Sequence, residues 1–395
     1  MLSALAGIEL QLSPSPPASF GAGAVARLPG SVRSTGSEAV VVVTDAALAA
    51  TPVVATVLAV LEAAGIPVTV FSGVHPNPTT GDLAAGADAV VAAGGGQPAG
   101  PRVALVAVGG GSPIDAAKGI ALAAVNPQRG RDLDYRLPFA RPALPIVAVP
   151  TTAGTGAETN AFGVVTDTDS QRKFYVGHAS SLPAAAILDP ELTVGLPPGA
   201  TAATGMDALT HALESYLSVR ANPWGDGIAL QVMRMISASL PRAYADGQDL
   251  EARSQMQLAA HMVAIGMGTT GLGICHAIGH ALGGRFDIAH GVALTLVLPQ
   301  VLRFNAEVCR ERLADVAFAL GVGDTGRPSG WNADAAIDAV AGLAGRLGMT
   351  RRLADLGITG AHLDQIAADA LDDEVLASTP RPPAAADIRS ILLAC

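Results

Sequence analysis

The sequence predicts an α/β domain with a mainly parallel sheet over residues 1–190, followed by an all-helical domain over residues 191–395. Three observations carry this reading. In the first half, short continuous apolar runs rich in valine and isoleucine alternate with alanine-rich helical stretches, the pattern of parallel strands covered by helices on both faces. After Asp189-Pro190 the strand signals stop, and helical segments separated by Pro and Gly follow. The 395 residues suffice for two ordinary domains with their own cores and not for three.

Taken in order, residues 40–44 (VVVVT) read as a buried strand and 45–64 as a helix. Residues 68–71 and 103–108 are two more strands, 113–124 a helix and 146–149 a further buried strand. The segments 162–166 and 173–176 read as a hairpin-style addition, and 186–188 as one more strand. Gly94-Gly95-Gly96 reads as a surface connection. In the second half, helices are expected over 201–220, 226–243, 250–267, 274–282 and 291–303, with weaker ones beyond. No internal repeat of fixed period is present.

Composition excludes several classes. Half the residues are apolar, 15% are charged and the mean hydropathy is +0.41, so a membrane reading has to be tested. The longest stretch without Asp, Glu, Lys or Arg, residues 254–284, contains seven glycines and His261, His276 and His280. That is too polar and too broken for a spanning helix, and it reads as buried helices. The 24 basic and 34 acidic residues give a net charge of −10 without any Lys/Arg run, which argues against nucleic-acid and membrane partners. The opening MLSALAGIEL has no basic residue before Arg27 and is interrupted by Glu9, so no secretory signal is expected. Cys275, Cys309 and Cys395 lack metal-type spacing and fit free thiols in a reducing cytoplasm.

Two loops suggest an anion site. The strand at 103–108 runs into Gly109-Gly110-Gly111-Ser112, and a helix carrying Asp115 and Lys118 follows. Glycines at a strand-to-helix turn let backbone approach a ligand, and the free N–H groups of the new helix favour an anion such as pyrophosphate. This is neither the alternating-glycine dinucleotide fingerprint nor a P-loop, and a tight turn alone would also choose glycine. The strand at 146–149 ends in Pro150-Thr151-Thr152-Ala153-Gly154-Thr155-Gly156, again small and hydroxyl-rich. Two such loops at the carboxyl edge of one parallel sheet define a nucleotide crevice.

A second constellation lies in the helical half. Asp207 and His211 stand four apart in GMDALTHALESY, on one helical face. Downstream, CHAIGHALGGRFDIAHG holds His276, His280 and His290. His276 and His280 share a face, and Gly283-Gly284 is expected to end that helix and return the chain to place His290. Three imidazoles and one carboxylate suit a borderline divalent metal; the competing reading is a set of histidines hydrogen-bonded in a core. Burying five titratable groups in uncharged helices without purpose would be costly. His261, His75 and His178 read as structural, and Cys275 as a small core residue.

Together these residues resemble the iron-containing, or group III, alcohol dehydrogenase family. The match runs from Phe20-Gly21-Ala22-Gly23 to about Asn305. It takes in Val43-Thr44-Asp45, Pro76-Asn77-Pro78-Thr79, GGGSPIDAAK at 109–118, PTTAGTGAE at 150–158, Asp189-Pro190, GMDALTHALESY and HAIGHALGG with His290-Gly291. The resemblance implies a dehydroquinate synthase-like architecture, NAD(P), and Fe2+ or Zn2+ held by Asp207, His211, His276 and His290. It implies cofactor contacts at Asp45, Asn77, Gly110, Gly111, Ser112, Thr151, Thr152, Thr155 and Lys173, with His280 near the nicotinamide. The family often has Pro before the last ligand histidine, where this chain has Ala289. Beyond residue 320 no residue roles carry over.

The expected function is hydride transfer between a small alcohol and the corresponding aldehyde or ketone, by an NAD-dependent cytoplasmic homodimer. Alternatives are a hydroxyacid–oxoacid transhydrogenase and a lyase like 3-dehydroquinate synthase; a non-catalytic binding protein would need a broken constellation. NAD is expected over NADP because Asp45, directly after the first buried strand, would accept hydrogen bonds from ribose hydroxyls and repel a 2′-phosphate. The plainer role for Asp45 is a helix cap.

Overall fold

The computed structural model of the protein describes residues 10, 12, 15–96, 100 and 102–395. The N-terminal run through Glu9, where the sequence argues against a signal, lies outside them. The chain divides into two compact units, residues 15–195 and residues 196–395.

The first unit contains strands β1 (Ala18–Phe20), β2 (Ala39–Asp45), β3 (Val68–Val74), β4 (Val103–Gly109), β5 (Ile146–Pro150), β6 (Phe162–Asp167), β7 (Arg172–Gly177) and β8 (Ala185–Leu188). Its helices are α1 (Leu28–Ser34), α2 (Ala46–Ala49), α3 (Pro52–Ala63), α4 (Thr80–Ala92) and α5 (Gly111–Ala123). Six strands form one parallel sheet in the order β1-β8-β5-β4-β2-β3, and β6 and β7 pair antiparallel as a separate hairpin.

The valine runs explain the layers. Side chains alternate along a strand, so Val41, Val43, Leu105 and Ala107 pack on one face with Leu83 and Val90 of α4 and Ile114 and Ile120 of α5. Val40, Val42, Val106 and Val108 face the other side with Val32 of α1 and Val54, Val57 and Leu61 of α3. Both faces are covered, which is why the strands read as continuous apolar runs. From β2 the chain moves outward to β3, then crosses back to β4 on the other side of β2 and continues to β5 and β8. The order therefore reverses between β2 and β4, and the carboxyl ends of those strands, Asp45 and Gly109, flank the place where open α/β sheets bind ligands.

The expected single helix over 45–64 is two helices. Thr51 is extended (φ −100°, ψ 161°) and Pro52 opens α3; a proline carries no N–H to continue the preceding turn and disfavours helical geometry in the residue before it. Helices α1 and α4 and strand β1 are not among the expected elements. Gly94–Gly96 is less superficial than a surface connection: Gly95 is buried, and a Cβ there would meet Val90 at 2.6 Å.

The second unit is helical throughout: α6 (Pro198–Leu217), α7 (Pro223–Ala245), α8 (Leu250–Thr270), α9 (Ile274–Phe286), α10 (His290–Ala319), α11 (Ser329–Arg346), α12 (Leu363–Leu371) and α13 (Ala385–Leu393). The uncharged stretch 254–284 is split between α8 and α9, which meet at 109° after Gly271 (φ 72°). Helix α10 is long and apolar enough to cross a membrane, but 56% of its apolar window is buried within the protein, as a core helix requires. It runs well past the expected end at 303 and is kinked at Cys309 (φ −116°, ψ 16°). Gly283-Gly284 does not end α9. The helix continues to Phe286, and Asp287, in the left-handed region (φ 51°), turns the chain; Asp tolerates that conformation because its short polar side chain bonds locally.

One buried carboxylate ties the first unit together. Asp189, fully buried at the end of β8, accepts hydrogen bonds from the backbone N–H groups of Gly23 (3.2 Å), Val25 (2.9 Å) and Glu191 (3.1 Å). Asp189→Ala leaves these donors unmatched, and urea unfolding should show a loss of about 3 kcal/mol. Asp189→Asn, which keeps an acceptor, should lose clearly less. Equal stability of the alanine variant and wild type would contradict this role.

Candidate metal centre and dinucleotide cradle

Helix α6 presents Asp207, His211 and Glu214 from one face, all buried. Helix α9 presents His276 and His280, and His290 is the first residue of α10. The close approach of α10 to α6 depends on Gly291, where a Cβ would sit 2.1 Å from the carbonyl oxygen of Ala203. Only glycine lets the start of α10 lie against α6 and bring His290 to Asp207.

The result is a ring of nitrogen around one oxygen. Asp207 Oδ1 lies 3.6 Å from His211 Nε2, 3.8 Å from His276 Nε2 and 3.7 Å from His290 Nε2. These distances exceed a hydrogen bond. Two ligands each about 2.1 Å from one tetrahedral ion stand about 3.4 Å apart, close to what is seen. Asp207, His276 and His290 offer ligand atoms all within 4.8 Å of one another. Asp207 Oδ1 and His276 Nε2 are buried with no hydrogen-bond partner among the described residues. Orphaned buried polar atoms that converge on one point fit a divalent cation.

Electrostatics agree. Burial pushes the Asp207 carboxyl up, but His211, His276 and His290 outweigh it and hold it well below the usual carboxylate range. Burial disfavours charge on His276, yet Glu214 and Asp207 raise it to about 9. The pocket favours positive charge despite its depth.

Glu214 was not singled out in the sequence, although it lies seven residues after Asp207 on the same helical face. Its Oε2 lies 2.5 Å from His276 Nδ1, and its Oε1 accepts the backbone N–H of Cys275 at 2.7 Å. The second bond caps α9, whose N-cap, Gly273, has no side chain to do so. The first holds a ring proton on Nδ1, so Nε2 is the nitrogen that would give up its proton to ligate a cation at Asp207.

His280 stands beside this group. Its ring stacks on His290 with centroids 5.5 Å apart, and its Nδ1 lies 2.7 Å from Oδ2 of Asp373. Asp373 follows α12 in the region where the sequence offered no roles. Burial pushes its carboxyl up, and His280 reverses this to hold it below the usual range. The remaining histidines have local partners or a helical setting: His75 bonds Asp82, His178 bonds Ser180, His261 is buried in α8, and His362 Nδ1 accepts the N–H of Thr359 at 3.1 Å. Cys275 is buried, with its Sγ 3.6 Å from the carbonyl of Leu294, and burial raises its thiol well above normal.

In the first unit, β4 and β5 are parallel neighbours with Gly109 opposite Pro150, so both small-residue loops leave the sheet side by side. Thr151 N–H donates to the Gly109 carbonyl at 2.9 Å. A Cβ on Gly110 would lie 3.1 Å from Thr152, and one on Gly111 2.8 Å from Thr155. The glycines are where the two loops press together, and Ser112 follows in the first turn of α5. Lys118 fastens the second loop from beneath. Fully buried, its Nζ donates to the carbonyls of Ala157 (2.7 Å) and Phe162 (2.6 Å), to Asn160 Oδ1 (2.9 Å) and to Asp115 (3.3 Å). Burial pushes Lys118 down and Asp115 up, each opposed by the other.

Asn77 adopts φ 53° and accepts from Lys173 Nζ at 3.0 Å, so these two come together as a pair. Asp45 is an N-cap: its carboxylate accepts from Leu48 N–H at 2.8 Å. Asp45 thus has the plainer capping role, and it also stands at the strand-order reversal.

Comparison with known proteins shows the family. Residues 16–190 match the iron-containing alcohol dehydrogenase family, and residues 201–395 match the C-terminal part of the Fe-containing alcohol dehydrogenase family. The chain is 36% identical over 386 residues to the NAD-dependent methanol dehydrogenase of Bacillus methanolicus, covering 95% of this chain and 97% of that one. It is 35% identical over 379 residues to lactaldehyde reductase of Escherichia coli, covering 93% and 95%. A solved structure of 1,3-propanediol oxidoreductase superposes with a TM-score of 0.92 at 35% identity, covering 98% of this chain and all of that one. By sequence and by fold, the chain belongs to the iron-containing alcohol dehydrogenase family.

Proposed function

We propose that this protein passes a hydride between a small alcohol and NAD, forming or consuming the corresponding aldehyde or ketone, with one divalent ion per chain. The observation that carries this reading is the ring of three imidazole nitrogens around the buried Asp207 Oδ1, at 3.6, 3.7 and 3.8 Å. Asp207, His211, His276 and His290 hold Fe2+ or Zn2+, and the ligand types alone suit either. A divalent ion there supplies Lewis-acid stabilisation of charge on the substrate oxygen.

The protein's own residues do the rest. One carboxylate among three neutral imidazoles leaves the centre a net positive charge. Glu214 fixes the His276 ring in the ligating tautomer. His280, against His290, stands next to the ligands without being one, and takes the place beside the nicotinamide. Gly110, Gly111 and Ser112 present the N-terminal N–H groups of α5 to the pyrophosphate, and Thr151, Thr152 and Thr155 complete that cradle. Asn77 and Lys173 contribute from the hairpin side, and Asp45 accepts ribose hydroxyls while still capping α2. The apolar helical unit favours a small, weakly polar alcohol. The protein works as a homodimer in the cytoplasm, a setting supported by its three free thiols.

Loaded anaerobically with ferrous iron or zinc, the purified protein should reduce NAD with small primary alcohols or diols. Activity should disappear on chelation and return with the metal. Absence of turnover in both directions, in protein carrying one ion per chain, overturns the proposal. Glu214→Gln should weaken metal affinity by about 10- to 100-fold in a chelator competition; unchanged affinity would remove its orienting role. Asp45→Ser should reduce the preference for NADH over NADPH in kcat/KM by about tenfold, equivalent to about 1.4 kcal/mol of lost repulsion. Equal use of both cofactors by wild type would leave Asp45 only its cap.

A further inference from the structure

We propose that Asp373 is a positioning residue that acts through His280, fixing the ring's proton on Nδ1 so that Nε2 is kept as a hydrogen-bond acceptor. The proposal rests on the reading of His280 as the residue beside the nicotinamide.

The contact is built to hold one arrangement. Asp373 Oδ2 lies 2.7 Å from His280 Nδ1, while its other oxygen accepts the backbone N–H of Val375 at 3.1 Å. Both oxygens are engaged, so the carboxylate cannot turn without losing one bond. It caps the short turn Glu374–Ser378, whose last carbonyl, on Ser378, accepts the N–H of Val219 at 3.0 Å. That bond joins the turn to the chain just after α6, the helix that carries Asp207 and His211. On the other side, Arg285 of α9 pairs with Asp369 of α12. Asp373 is thus held from both directions relative to α9, and His280 with it.

An ionised carboxylate only accepts hydrogen bonds, so the imidazole nitrogen facing it carries the proton. The bond made at one ring nitrogen decides which tautomer is present. A carboxylate in this place orients an imidazole and sets its tautomer without changing protonation itself, and its replacement by the isosteric amide leaves geometry intact but permits the wrong tautomer. Asparagine at 373 keeps an oxygen for the Val375 cap and can turn its NH2 group toward Nδ1, which then becomes the acceptor. The proton moves to Nε2, and the acceptor is lost.

The test uses wild type, Asp373→Asn, His280→Gln and the double variant. In metal-free protein, nitrogen-15 spectra of the histidine rings, with His280 assigned by its absence from His280→Gln, should show the proton on Nδ1 in wild type and on Nε2 in Asp373→Asn. In metal-loaded protein, Asp373→Asn should keep wild-type metal content and a KM for NAD within about threefold, while kcat falls about 10²-fold or more. The double variant should be no slower than His280→Gln, because a residue acting only through another has nothing left to act on. A wild-type proton on Nε2 overturns the proposal whatever the activity. So does a kcat for Asp373→Asn close to wild type, a loss that vanishes when rates are normalised to bound metal, or a double variant whose losses multiply. An inactive wild type would count against the proposed function, and the ring spectra would still decide the role of Asp373.

Discussion

The site in the helical unit is arranged around one expensive group, the carboxylate of Asp207, 2% exposed on α6. An isolated ionised carboxylate at such depth costs many kcal/mol, and a protein normally avoids that cost by protonating it. Here the opposite holds: the imidazoles of His211, His276 and His290 keep it ionised. Yet none of their Nε2 atoms comes close enough to hydrogen-bond with Oδ1. Charge without hydrogen bonds, at distances matched to a shared ion, has a simple resolution in a bound divalent cation.

Holding such a group demands unusual backbone. Asp287 enters the left-handed region to turn the chain back after α9, and Gly291 lets α10 begin in contact with the carbonyl of Ala203. These two residues determine where His290 stands. Around the ring, two further carboxylates bond imidazoles. Glu214 bonds His276 from α6, and Asp373 bonds His280 from the far end of the chain. The sheet-bearing unit follows another logic, with small residues where two strand ends must release their loops side by side and a buried lysine bonded to the chain that follows the second loop.

Much of this was legible in the sequence because it is local. Continuous valine runs follow from strands covered on both faces, and the i, i+4 spacings of Asp207–His211 and His276–His280 follow from the helical repeat. Proline at position 52 was equally visible, but the alanine-rich composition on both sides masked the break it imposes. Gly283-Gly284 misled for a related reason. Glycine weakens a helix without ending it when packing favours continuation, and Asp287 turned the chain instead. Glu214 was visible in the spacing but carries no signal that separates a ring-orienting carboxylate from any other buried one. Asp373 had no signal at all. It lies 93 residues from His280, and only tertiary structure brings them together.

The central claim is that the atoms converging on Asp207 bind one metal ion. Anomalous diffraction at the iron or zinc edge, from crystals of the metal-loaded protein, tests this without reference to activity. The account predicts a single strong peak per chain within about 2.0–2.2 Å of an Asp207 carboxylate oxygen and of the Nε2 atoms of His211, His276 and His290. A protein that binds metal stoichiometrically but shows its peak elsewhere, or bound by fewer than three of these four residues, would contradict it.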